Sequence, residues 1–387
     1  MTSSPTRVSG FTIGPVDFTF SPEQEALRET VRSFLSSPAQ AGYARRMIED
    51  DRGFEDSWWS EISAMGWTGA LIPEDLGGAG LGLVDMVVLQ EEMGRAALPG
   101  PFFSSAVAAT LGALRLGDED LLRGLADGSL RGTFAVEEGH GGSPLDGVGT
   151  TATPSRAAGG WELHGAKPLV LDGHTADVAI VVAREPDGGL AAFVVDGPAG
   201  TPVRTLDVSR KLARVDLEGR PSRRIGPPGD QTGLLQRVLD DISVAICAET
   251  VGAGERALQM AIEYSKQRVQ FDRPIATFQA IKHKIVDMLH QLELARVGTH
   301  WAAWASQVDD PVRAEAAAAC KAFVAEAAVM VTGENIQVHG GVGFTWDVDC
   351  HLLFRRVKQN DLLFGNQAWN RQRLAALILD SPQPAPV

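Results

Sequence analysis

Arg268, Phe271 and Gln279 lie in the run YSKQRVQFDRPIATFQ, Tyr264–Gln279, which sets a cation, an aromatic ring and an amide around a bend at Pro274. A guanidinium makes paired hydrogen bonds to a pyrophosphate. A ring and an amide beside it can cover and read the edge of an adenine or a flavin. The same residues could instead cap a helix C-terminus and pack in a core, and spacing alone does not choose. A second candidate is QVHGGVGFTW, Gln337–Trp346. Adjacent glycines Gly340 and Gly341 let a backbone approach a ligand and turn N–H groups toward phosphate oxygens. Such a turn also ends many helices. Other reactive residues carry less. His283, His290, His339 and His351 have no zinc-ligand spacing, so no metal site is expected. Cys350 and His351 are adjacent on a helical pattern and do not face each other. His140–Gly142 reads as a phosphate cradle or as a plain turn.

The elements that must position these residues fall into three stretches. Residues 1–128 read as helical: Ser21 is an N-cap candidate, Pro22 opens the first helix, and Leu27, Val31 and Leu35 recur on one face. Residues 129–229 break into short runs such as TFAVEE, WELHG, DVAIVVA and LAAFVVD, separated by Gly, Asp and Pro. No crossover helices separate them, so an antiparallel sheet or small barrel is expected. Residues 230–387 return to helix, with long patterns over 231–269, 279–307 and 311–336 that suit an antiparallel bundle. The fold class is therefore α+β, mainly α.

Composition narrows the function. The chain has 387 residues, 44% hydrophobic and 22% charged, as for a folded globular protein. A net charge of −14 with no basic block argues against nucleic-acid binding. No apolar run of about 18 residues is present, so no membrane span is expected. The three cysteines, Cys247, Cys320 and Cys350, are far apart and form no disulfide framework, which suits reduced thiols in the cytoplasm.

Taken together, MGWTGALIPEDLGGAGLG (Met65–Gly82), YSKQRVQFDRPIATFQAIKHKIVDM and QVHGGVGFTW resemble signatures of the acyl-CoA dehydrogenase family, in the family's order and over nearly the whole chain. The resemblance implies an N-terminal helical domain, a middle antiparallel β-domain and a C-terminal four-helix bundle. It also implies FAD chemistry on acyl-CoA thioesters, with an electron-transfer flavoprotein-like acceptor. Arg268, Phe271, Gln279, Gln337, Gly340 and Gly341 match the residues that reach FAD held by a neighbouring subunit.

The departures lie elsewhere. The family's catalytic glutamate stands in a YEGT-like segment; here the segment is LLFGN, with Phe364 in the glutamate's place. Phenylalanine cannot accept a proton. A base on the first long C-terminal helix would fall at Ile242, which leaves Asp241, about 100° away on the helix, and Asp240 beside it as weak alternatives. The flavin-lining TEPGAGSD-like loop becomes VEEGHGGSP, with Glu137 for a threonine and Pro144 after Ser143. The WIT-like strand becomes Leu169-Val170-Leu171, so a stacking tryptophan and a hydrogen-bonding threonine are both replaced by leucine. A flavin acceptor left without its donor costs roughly 1–3 kcal/mol. The lost residues serve a subunit's own flavin ring and proton abstraction, while the kept ones serve a neighbour. That division suits an α2β2 assembly in which a second acyl-CoA dehydrogenase subunit supplies the base and FAD is shared across the interface. The rival readings are a self-sufficient enzyme with a displaced acidic base, and a flavin-free repurposed member.

Overall fold

The computed structural model describes residues 20–37, 40, 42–139, 142–155 and 160–380. Helix α1 (Pro22–Leu35) starts where its cap dictates. Ser21 Oγ accepts from Gln24 N at 3.3 Å and Gln24 Oε1 accepts from Ser21 N at 3.1 Å, a reciprocal capping box behind a proline at the first helical position. Helices α2 (Tyr43–Glu49), α3 (Asp56–Ala64) and α4 (Leu83–Arg95) follow. A fully buried π-helical stretch, Phe103–Ala109, runs into α5 (Thr110–Leu116), and α6 (Glu119–Ala126) ends the first helical region.

Among the described residues nine strands come next: β1 (Gly132–Ala135), β2 (Thr151–Pro154), β3 (Gly160–His164), β4 (Ala166–Leu171), β5 (Val178–Arg184), β6 (Leu190–Asp196), β7 (Thr201–Val203), β8 (Leu212–Asp216) and β9 (Arg220–Ile225). Strands β5, β2, β3, β9 and β6 close into a small barrel, with β1 added beside β5, while β4, β8 and β7 form a second sheet. Most pairings are antiparallel, but β1 and β2 both run parallel to β5. The local hairpin signals are right; β1 enters from the helical region and joins β5 over a long sequence separation that no local pattern records. Strand β5 is apolar from Val178 to Ala183 because both of its faces are buried there. Ala179, Val181 and Ala183 point into the β-core, and Val178, Ile180 and Val182 pack against the helical core.

Helix α7 (Thr232–Gln267) opens the second helical region, and a short hairpin of β10 (Val269–Gln270) and β11 (Arg273–Pro274) follows it. Helices α8 (Gln279–Gln307), α9 (Arg313–His339), α10 (Cys350–Leu362) and α11 (Gln367–Leu379) complete the bundle. Helix α4 lies hard against α7 because two glycines face each other's backbones. A Cβ on Gly94 would sit 1.8 Å from Glu249 O, and one on Gly252 would sit 1.8 Å from Glu91 O. The segment Arg313–Phe344 is long and apolar enough to cross a membrane by composition, but 67% of its most apolar window is buried inside the fold, as for a core helix.

Candidate functional site

The two signature segments meet at one end of the bundle. Helix α7 stops at Gln267, and Arg268 takes extended geometry, with its N–H donating to Tyr264 O at 2.8 Å. The chain then reverses through Phe271 and Asp272, at φ +52° and +59°, the backbone a two-residue hairpin requires. Pro274 leads into α8, which begins at Gln279. Stacking of Tyr264 on His339, with ring centroids 4.2 Å apart, ties this turn to the last turn of α9. That contact brings the QVHGGVGF segment alongside it.

All six residues of the set, Arg268, Phe271, Gln279, Gln337, Gly340 and Gly341, are exposed. Phe271 is 86% exposed, and an aromatic residue at positive φ is strained as well. Among the described residues no group accepts a hydrogen bond from the Arg268 guanidinium. A Cβ built on Gly340 or Gly341 would meet nothing within 4 Å. Arginine, glutamine and open glycine backbone form a donor set that fits a dinucleotide pyrophosphate. They present it outward, beyond this chain's own surface.

Of the residues expected at the flavin-ring and base positions, Glu137, Leu171 and Phe364 are buried. Phe364 is 3% exposed, and its ring lies 6.4 Å from that of Phe103 at a tilted angle. The guanidinium of Arg210 sits over the other ring, 5.1 Å from the Phe103 centroid. The backbone around Phe364 is pinned at successive groups. Phe364 N donates to Glu137 Oε1 at 2.7 Å, and Ser243 Oγ donates to Phe364 O at 3.5 Å. The buried Lys321 ammonium donates to Asn360 O and Leu363 O, and Asn370 Nδ2 donates to Gly365 O at 3.2 Å. Leu171 is 4% exposed in the main core, while Leu169 lies at the surface. A flavin ring does not fit this donor set: leucine offers it no hydrogen bond, and Glu137 is turned to the Phe364 backbone.

Burial pushes the Glu137 carboxyl up from its ordinary value of 4.5 to about 7, against the opposing pull of the Phe364 N–H, Lys321 and Lys167. Its neighbour Glu138 pairs with fully buried Lys167, which also donates to Val136 O at 3.3 Å. Desolvation lowers Lys167 to about 8.

Asp240 and Asp241 are drawn into structural pairs. Arg373 grips Asp240, one contact being 2.8 Å. Asp241 is fully buried and accepts from Arg115 Nε at 2.9 Å and from Ser306 Oγ. His140 and Gly141, the heart of the possible phosphate cradle, lie outside the described residues. Among the described residues no cluster of His, Cys, Asp and Glu suits a metal ion. Sequence reasoning missed Phe103, Lys321 and the buried pair of Arg210 and Arg356. Their partners come from distant segments, so no local spacing marks them.

Comparison with known proteins agrees across the chain. The description "Acyl-CoA dehydrogenase, N-terminal domain" matches residues 21–133, the middle domain of that family matches 133–225, and its C-terminal domain matches 233–379. The acyl-CoA dehydrogenase IpdE2 of Mycobacterium tuberculosis (strain ATCC 25618 / H37Rv) is 31% identical over 364 residues, spanning 93% of this chain and 98% of that protein. Among solved structures, a variant of the Tcur3481-Tcur3483 steroid ACAD is 30% identical with a TM-score of 0.81, over 92% of this chain and 97% of that one. The ChsE4-ChsE5 complex from Mycobacterium tuberculosis is 25% identical with a TM-score of 0.84, over 95% of this chain and 100% of the matched chain.

Proposed function

The chain belongs to the acyl-CoA dehydrogenase family, and from that membership we propose that it is the base-lacking subunit of a heteromeric, FAD-dependent acyl-CoA dehydrogenase. The carrying observation is the split between its two half-sites. Phe364 fills the base position and is sealed in the core, while Phe271 stands strained and 86% exposed on the outward grip. FAD would accept the hydride, and a carboxylate on the partner would take the α-proton of the thioester. This chain would hold that FAD through the Arg268 guanidinium, the Phe271 ring, the Gln279 and Gln337 amides and the Gly340–Gly341 backbone. The two-chain naming of the ChsE4-ChsE5 and Tcur3481-Tcur3483 structures supports an α2β2 arrangement with a second family member. The steroid ACAD among them makes a steroid side-chain thioester the first acyl group to assay. An electron-transfer flavoprotein-like protein in the cytoplasm is the acceptor we assign. The arginine partners of Asp240 and Asp241 speak against a self-sufficient enzyme based on either acid.

The test is to purify the chain alone and co-expressed with its genomic neighbour, and to record flavin absorbance, mass and turnover. The assembly is expected to be yellow, active and to carry fewer FAD than chains. A lone chain with about one FAD per chain and full turnover refutes the proposal. Within the assembly, Arg268→Ala removes charge-assisted hydrogen bonds worth roughly 1.5–3 kcal/mol and is expected to weaken FAD binding by about 10- to 150-fold at unchanged assembly mass. Unchanged FAD affinity would place the grip elsewhere.

A further inference from the structure

Away from both half-sites, the ends of α1 and α4, the start of α2, the middle of α7 and the start of α10 enclose a cavity of about 540 Å³. That is the size of a small-molecule site, roughly 300–1,000 Å³. It shares no lining residue with the Arg268–Gly341 set or with the Glu137–Phe364 pair. Four arginines line it, Arg32, Arg45, Arg95 and Arg256, against two carboxylates, Glu92 and Asp349. In a chain of net charge −14 this is a local positive excess.

The pairing shows where the excess lies. Arg32 holds Glu92 at 2.6 and 2.8 Å, and Arg45 holds Asp349 at 2.6 and 2.8 Å. Arg95 donates to Gln259 Oε1, and its carboxylate contact is Glu255 at 3.2 Å, which it shares with Arg32 and Arg296. Arg256 comes no nearer to a carboxylate than 3.9 Å, from Glu263, and among the described residues nothing accepts a hydrogen bond from it. Desolvation first, then the nearby charges of Arg32 and Arg256, hold Arg95 below its ordinary value, as expected where like charges crowd. Leu35, Leu352 and Leu353 supply apolar wall.

We propose that this cavity binds an organic phosphate of about nucleotide size, with its phosphate between Arg95 and Arg256 and its body against Leu35, Leu352 and Leu353. A phosphate monoester dianion matches the two cations left without a carboxylate of their own. Guanidinium forks pair with phosphate oxygens two at a time. Because the walls come from both helical regions, a ligand here clamps α1 and α4 onto α7 and α10.

The experiment titrates the purified full-length chain with AMP, inorganic phosphate and octanoate by calorimetry. AMP is expected to saturate one site at least about tenfold more tightly than phosphate, with octanoate silent. Arg256→Glu loses no hydrogen bond on folding, and it is expected to weaken AMP at least about tenfold with an unchanged melting curve. Arg256→Gln checks the same point without charge reversal and should fall between. Arg268→Ala is expected to leave AMP binding intact, which separates this cavity from the flavin grip. No AMP binding, octanoate or bare phosphate binding as tightly as AMP, or a loss caused by Arg268→Ala and not by Arg256→Glu, each overturns the proposal.

Discussion

Arg356→Ala is expected to destabilise the protein by about 3–5 kcal/mol, because it leaves two buried carboxylates with a single cation between them. Arg356 has no exposed surface and serves all three regions of the chain at once. It donates to Asp207 and to Ser209 Oγ at 2.8 Å on the β side, and to Glu249 Oε1 at 2.7 Å on α7. It also donates to Leu98 O at 3.0 Å and Ala97 O at 3.3 Å, just after α4. Asp207 and Glu249 are both held below the usual carboxylate range, against desolvation, chiefly by Arg356 and Arg210. Without Arg356 the remaining Arg210 faces two buried carboxylates. Arg356→Lys should recover little, since an ammonium cannot reproduce a fork that reaches five acceptors. Denaturant unfolding of wild type and both variants measures the cost. A loss below about 1 kcal/mol for Arg356→Ala would mean that packing, not this network, joins the three regions.

The second large effect concerns pH. Glu137→Gln is expected to raise stability by less than about 1 kcal/mol near pH 5 and by up to about 3 kcal/mol near pH 8. The folded-state value of about 7 stands above the ordinary 4.5. Between those values the folded chain keeps a proton that the unfolded chain has released. Stability therefore falls as pH rises through this window, and the loss is complete just above pH 7. The surrounding charges, Lys321 on α9 and Lys167 on β4, limit the shift but do not cancel it. Glutamine keeps the oxygen that accepts from Phe364 N and removes the ionisation. Denaturant midpoints at the two pH values give the answer directly. If wild type and variant differ by the same amount at both, Glu137 ionises freely and its burial has been misjudged.

Much of the fold was legible in the sequence because its signals are local. Ser21 and Pro22 mark a helix start that the capping box reproduces, and the breaks at Pro274 and Pro311 fall between long helices. The short apolar, β-branched runs around 178–196 become β5 and β6. The parallel pairing of β1 with β5 was not legible, since it joins residues about forty-six apart that carry no crossover signature (Gly132 opposite Val178). Nor was the pinning of this turn, where Glu137 and Ser243 hold the Phe364 backbone and Lys321 holds the Leu363 carbonyl from three separate segments. Asp241 shows the same limit: its charge was visible, but Arg115 and Ser306, which hold it, are far along the chain.

By itself the sequence determined which chemistry the residue types permit. Phe364 cannot take a proton, Leu171 cannot donate to a flavin, and Arg268 with Gly340 and Gly341 can grip a phosphate. Those are properties of side chains and survive any fold. Only the tertiary structure decided direction. It turned Phe271 out to solvent and Phe364 into the core, and it closed Glu137 onto the Phe364 backbone. It also gathered four arginines from separated helices around one cavity. The reason is that burial and pairing depend on which distant elements pack together, and packing is settled by the whole hydrophobic core rather than by any one segment.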